Sequence, residues 1–377
     1  MTTTRHEKSL IVIQLTGGND YLNTVVPYGD GRYYDARSTV NIPQEKVIPI
    51  DNQLGFNPSM GPIKSLWDEG KVAVINGIGY ENPNRSHFRS MDIWHTAEPD
   101  SIGKEGWLGR TIRDLDPQSD NVLTGINFGR GLPRALACPG VSVTSVGDLA
   151  TYGLFPDIQD EDLRMFTLEA FSRMYGGAAG RDPVMDLLAR TGQDSIHGAD
   201  VLRTAPAMYS SSVEYAPNTL AQNVKSISQV FHADLGARVL YTTHAQFDTH
   251  SGELATHAKL WDDVAGAVGC LMDDLKEHGR EDDASILIFS EFGRRIKDNG
   301  SGSDHGAGGV AFLIGGAVKG GLYGEYPSLA EADQSEGDLR SNNDFRSTYT
   351  GILEDWLGLD AAPVVNGQFE KLSFFSS

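Results

Sequence analysis

Six side chains able to bind a hard cation stand at or near the ends of apolar runs. Glu291 closes "SILIFS", and Asp304 and His305 follow in the Gly- and Ser-rich loop "DNGSGSDHGAGG". Asp248 and His250 lie in "HAQFDTHSG" after "RVLYTT", and Asp20 follows "SLIVIQLTGGN". Carboxylate oxygens mixed with neutral imidazoles suit Zn²⁺, Mn²⁺ or a similar ion, whereas Ca²⁺ takes fewer histidines. One or two divalent ions are therefore expected. Each residue also has an ordinary structural role: an Asp after Gly-Gly caps a turn, and "FDTH" reads equally as a turn with a capping Asp. His244 and His257 flank that turn as ligands, acids or solvated side chains.

Ser86 in "NPNRSHFRSMDIW" is the candidate nucleophile, because a hydroxyl at a helix start sits where backbone N–H groups and the helix dipole favour an anion. The alternative is a plain N-cap. Arg85 and Arg89 flank it, and guanidinium groups hold phosphate or sulfate bidentately. Ser86 and His87 make no triad, since adjacent helical residues do not face one another. Arg294, three residues after Glu291, either contacts substrate or pairs with an acid.

The elements that must position these groups alternate. "SLIVIQL" and "KVAVINGIG" read as strands, the second followed by a helix on which Phe88, Met91 and Trp94 recur at helical spacing. A helix carrying Val224, Ile227, Val230 and Phe231 precedes the strand "ARVLYTT". A long helix with Leu260, Val264, Val268, Leu271 and Leu275, stopped by Gly279, precedes "ASILIFS". "GGVAFLIGGAV" is a further apolar run, and "FRSTYTGILEDWLG" is an amphipathic C-terminal helix. This order predicts a single α/β domain over 1–377, a doubly wound, largely parallel sheet with helices on both faces and a helical insertion or cap at about 150–220. In such sheets ligands bind outside the carboxyl ends of the strands, where the candidate residues fall.

Composition narrows the function. The formal charge is −20 without a basic stripe, which disfavours nucleic acid as a partner and leaves a small anionic substrate dependent on a local cationic pocket. Cys138 and Cys270 stand alone, without a C-x-x-C, and read as buried thiols. No apolar run is long enough to span a membrane, and "MTTTRHEKSLIVIQL" carries no signal-peptide pattern, so the chain as written reads as cytoplasmic; export would require a signal already removed. Oligomeric state is left open. No G-x-S-x-G, P-loop, H-E-x-x-H or dinucleotide fingerprint is present.

"LTGGNDYLNTVVPYGDGRYYDAR", "NPNRSHFRSMDIW", "GWLGR", "FDTHSG", "SEFGRRIKDNGSGSDHG" and "VKGGLYG" resemble, in order and across nearly the whole chain, the bacterial family called domain of unknown function 1501, placed in the alkaline phosphatase-like superfamily with sulfatases and cofactor-independent phosphoglycerate mutases. The resemblance implies an alkaline phosphatase-like fold, with Asp20 as first acid, Ser86 as nucleophile, Asp248 and His250 as the middle pair, Glu291 as the next acid and His305 as final ligand, joined by Asp304 as ligand or orienter. Where the superfamily has His after that acid, this chain has Phe292, which binds no metal. The Asp20/Glu291 half-site is then weak, recruits Asp304 or is empty, and a single ion is expected on Asp248, His250 and His305. The expected function is metal-dependent hydrolysis of a phosphate or sulfate ester; the alternative is a non-catalytic binding or assembly protein that keeps the fold with an incomplete metal site.

Overall fold

The structure is a computed structural model and describes residues 6–152, 160–176 and 182–375. Eight strands form the path of its main sheet: β1 (Ser9–Leu15), β2 (Val72–Gly79), β3 (Gly125–Phe128), β4 (Thr144–Val146), β5 (Val239–His244), β6 (Ala284–Ser290), β7 (Gly309–Ile314) and β8 (Gly321–Tyr323). Their order is β8-β2-β7-β6-β1-β5-β3-β4, and Asn343–Asp344 pairs with β2 off this path. Every pairing on the path is parallel except those of β7, which runs antiparallel to both β2 and β6. The sheet is thus largely parallel, as the alternation of elements predicts.

Strand β1 is buried along its whole length because it faces a core on each side. Its alternation sends Ile11, Ile13 and Leu15 to one face, with Val224, Val264 and Leu271. Leu10 and Val12 go to the other, with Ile93, Leu108 and Tyr349. Helices α3 (Thr219–His232) and α4 (Glu253–Glu277) cover the first face; α1 (His87–Thr96) and α2 (Trp107–Leu115) cover the second. After β1 the chain goes to β2 on one side and then to β3 on the other, which opens a crevice at the carboxyl end of β1.

Between 160 and 220 the described residues form helices Glu161–Gly176, Pro183–Leu202 and Ala205–Met208; parts of the expected insertion, 153–159 and 177–181, lie outside the described residues. Cys138 and Cys270 are free thiols and half-buried rather than buried, since both lie on outer helix or loop surfaces. Among the described residues no helix is long and apolar enough to cross a membrane.

Candidate metal centre and cleft

Three strand ends and one helix start meet at the crevice. Gly17, just past β1, has φ +122°, and a Cβ there would stand 2.3 Å from the backbone nitrogen of Asp248; only glycine lets the two loops touch. Its N–H donates to Glu291 Oε1 at 2.9 Å. Beyond β6, a short antiparallel hairpin of Arg294–Asp298 and Ser303–His305 sets His305 opposite Arg294. Gly302 lies against the backbone of Thr249 and His250, where a Cβ would come within 2.2 Å of the Thr249 carbonyl, and so brings the 299–306 loop onto the "FDTH" turn.

These contacts bring His87, Asp248, His250 and His305 together. His305 Nε2 and His250 Nε2 each lie 3.0 Å from Asp248 Oδ1 and 3.0 Å from each other. His87 Nε2 is 3.5 Å from Asp248 Oδ2 and has no hydrogen-bond partner although buried. The other nitrogen of each ring is engaged. His305 Nδ1 donates to the Arg85 carbonyl (2.8 Å), His250 Nδ1 to Asp304 Oδ1 (3.1 Å) and His87 Nδ1 to Glu291 Oε1 (2.8 Å). Such outer partners fix the tautomer that leaves Nε2 free to ligate. Atoms around an ion with ~2.0–2.1 Å bonds stand roughly 3.3 Å apart in a tetrahedron, close to the separations here. Ligand atoms of His87, Asp248 and His305 all fall within 4.8 Å of one another. The donor set fits a transition metal of the zinc class.

The electrostatics agree. Burial pushes the Asp248 carboxyl up, but hydrogen bonds from Arg294 and His305 outweigh it and hold it at about 2. Its hydrogen bond to Glu291 raises His87 above the ordinary imidazole range. Neighbours Asn299 and His250 hold Asp304 low. Phe292 is buried and packs against both His87 and His305, ring centroids 5.0 Å away in each case, so it backs the imidazoles instead of adding a ligand.

Asp20 does not join this group. Its carboxylate is fully buried and carries a bidentate ion pair with Arg37, whose guanidinium also donates to the carbonyls of Arg295 and Ile296. Glu253 and His257 complete that inner chamber: Glu253 shares a hydrogen bond with Asp20 and accepts from Asn23 and Ser303, and His257 meets Asn19. A permanent cation thus answers Asp20, leaving Glu291 to Gly17, Ser290 and His87.

The expected anion clamp is also committed elsewhere. Arg294 is buried and donates to the carbonyls of Gly17, Gly18, Phe247 and Ser303 besides Asp248. Arg85 pairs with Asp338 at 2.6 Å. Arg89 binds Asp92 and the carbonyls of Pro99 and Ser101. Ser86 is the exposed N-cap residue of α1; its N–H donates to Asn84 and its hydroxyl makes no capping bond.

A cleft of about 810 Å³ opens beside the cluster, lined by Gly17, His87, Asp248 and Glu291 and by Phe88, Met91 and Ile102. Phe88 is 90% and Ile102 78% exposed, an apolar shelf unexplained by core packing. His95 also lines the cleft: burial pushes it down to about 4, and its Nε2 meets Gln14 Oε1 at 2.8 Å.

Sequence patterns alone do not single out His87 and Arg37. His87 sits beside Ser86, whose hydroxyl is the more evident group, and its partner Glu291 is 204 positions away. An Asp-x-Arg stretch such as "YYDAR" gives no local sign of where its guanidinium points.

No curated protein matches the chain. Among solved structures it is similar to the PsFucS1 sulfatase from Pseudoalteromonas sp. (13% identity, 98% of this chain and 71% of that one, TM-score 0.42). It is also similar to a protein in the alkaline phosphatase superfamily from Vibrio parahaemolyticus (11%, 97% and 70%, TM-score 0.38). A third is the C-terminal periplasmic domain of EcEptC from Escherichia coli, in complex with Zn (10%, 82% and 73%, TM-score 0.37). The family model described as "Protein of unknown function (DUF1501)" matches residues 174–360, which carry Asp248, His250, Glu291, Asp304 and His305. Over that stretch the chain is similar to the DUF1501 family.

Proposed function

We propose that the protein is a metal-dependent hydrolase of a phosphate or sulfate ester whose alcohol portion is apolar. The observation that carries this reading is the convergence of three outer-bonded imidazoles, through their Nε2 atoms, on the Asp248 carboxylate at the edge of an apolar cleft. His87, Asp248, His250 and His305 would hold the ion, with Glu291, Asp304 and the Arg85 carbonyl orienting the rings. The bound cation supplies charge stabilisation and the local positive potential that the chain as a whole lacks. Arg294 keeps Asp248 ionised and in place, so it is a positioning residue. We assign the attacking hydroxyl to Ser86, the exposed N-cap residue of α1, whose side chain makes no capping bond. Phe88, Met91 and Ile102 would seat the leaving alcohol.

Protein purified without chelator should hold about one equivalent of zinc or manganese on this four-residue set. It should turn over aryl phosphates or sulfates in preference to methyl esters, and Ser86→Ala should abolish turnover with metal content unchanged. Less than about a tenth of an equivalent after reconstitution would sink the metal reading. The engagement of Arg85, Arg89 and Arg294 favours a second reading, a binding protein that retains the site without catalysis. Full turnover in Ser86→Ala would remove that serine as nucleophile, whereas turnover lost in Ser86→Ala alone would dismiss the binding-only reading.

A further inference from the structure

At the opposite end of the strands, where α3 and α4 finish before β5 and β6 begin, a second set of ligand atoms converges. Asp274 and His278 stand one turn apart at the end of α4, and His232 is the last residue of α3. Asp274 is fully buried. Its Oδ2 accepts from Tyr209 Oη (2.6 Å), Tyr215 Oη (2.8 Å) and Ser228 Oγ (2.6 Å), while Oδ1 has no hydrogen-bond partner. His232 Nε2, on a side chain only 7% exposed, also lacks a partner and faces Asp274 Oδ1 at 3.9 Å. His278 Nδ1 lies 2.8 Å from the Asp274 backbone carbonyl and 3.2 Å from the same Oδ1, and its Nε2 meets the Ser210 carbonyl at 3.0 Å.

Asp274 Oδ1 and His232 Nε2, both buried and without a hydrogen-bond partner, lose their hydration for nothing. One imidazolium at His278 answers Asp274 but leaves His232 Nε2 unmatched. A cation among the three answers both; it takes His278 Nδ1 from the Asp274 backbone carbonyl, which keeps the His278 N–H at 3.2 Å. The outer atoms already have the partners that ligands need: three hydroxyls on Oδ2 and a carbonyl on the far nitrogen of His278. The three ligand atoms fall within 4.8 Å of one another, so a contraction to roughly 3.3 Å would place three of the four ligands of a tetrahedral ion. A neighbouring guanidinium, Arg280, is neutralised by Asp234 and Asp283 at 2.8 and 2.7 Å.

We infer that His232, Asp274 and His278 form a second, structural site for a divalent transition metal of the zinc class, which ties the ends of α3 and α4 to the segment 209–215. It is independent of the cleft and of the activity proposed there.

The test is zinc titration of chelator-stripped protein in which His87→Ala and His305→Ala remove the cleft site. This protein should still bind about one equivalent, and adding His278→Ala should weaken that binding by at least about tenfold. His278 is 27% exposed, so its truncation leaves packing intact, as circular dichroism would verify. If the cleft reading alone fails, wild type and the double variant bind the same single equivalent, lost only with His278→Ala. Should the double variant bind no zinc, or keep its affinity after His278→Ala, the second site does not exist. Zinc-edge diffraction from wild-type crystals answers the same question without variants: a peak among His232, Asp274 and His278 upholds the site, and its absence after soaking overturns it.

Discussion

His87 illustrates how one side chain changes meaning with its partners. Its Nδ1 is held by Glu291 and its Nε2 aims at Asp248, so the ring is oriented from both sides. His87→Ala should therefore lower metal occupancy of the cleft by at least about tenfold, read by elemental analysis in a His278→Ala background after dialysis against a fixed zinc buffer. Asp20→Ala should spare that occupancy, because Asp20 is spent on Arg37. It should instead lower unfolding stability by about 3–5 kcal/mol, the usual cost of stranding one member of a buried ion pair. A urea titration of both variants separates the two roles. Loss of metal in Asp20→Ala would return that residue to the ligand set.

Among elements, the contiguous β-branched runs of β1 and β6 were legible in the sequence because strands buried on both faces need apolar residues at every position. The direction of β7 was not, since "GVAFLI" is equally apolar read either way and only its neighbours decide that it runs antiparallel. The stripe Phe88, Met91, Trp94 divides between two roles: Trp94 is core, with Ile93 and Ser90 beside it, while Phe88 points into the cleft mouth. Spacing finds a helix but not which edge of its apolar face is left for a ligand. Asp248, His250 and His305 were visible as polar groups after strands, while the ion pair that withdraws Asp20 depends on a fold contact no local pattern encodes. Gly17 is the joint between β1 and the Asp248 loop. Gly17→Ala should cost about 1–3 kcal/mol through strain at positive φ and should weaken metal binding by displacing Asp248. Unchanged zinc affinity would show that the loop tolerates the shift.

For the molecule as a whole, pH acts through the inner chamber. Burial and the Asp20 charge push the Glu253 carboxyl up, so its contribution is complete below the ordinary Glu pKa of about 4.3 and is lost as pH rises toward its folded value. Burial pushes Asp20 up, but the Arg37 charge outweighs it, so the Asp20 contribution is complete above about pH 4 and is lost as pH falls through its lowered value. Stability from this pair should peak in mildly acidic solution and decline toward alkaline pH. Glu253→Gln should flatten the alkaline decline, seen as a smaller difference between urea midpoints at about pH 5 and about pH 9. An unchanged difference would place the pH dependence elsewhere.

The Arg37 guanidinium has one more consequence. It cannot dissociate, whereas an ion held in the half-exposed cleft would exchange with solvent, so the proposed site would set a replaceable cation beside a fixed one within one crevice. Chelator should then switch the cleft off and leave its architecture standing, and a different metal added afterwards should reset the chemistry without refolding the chain.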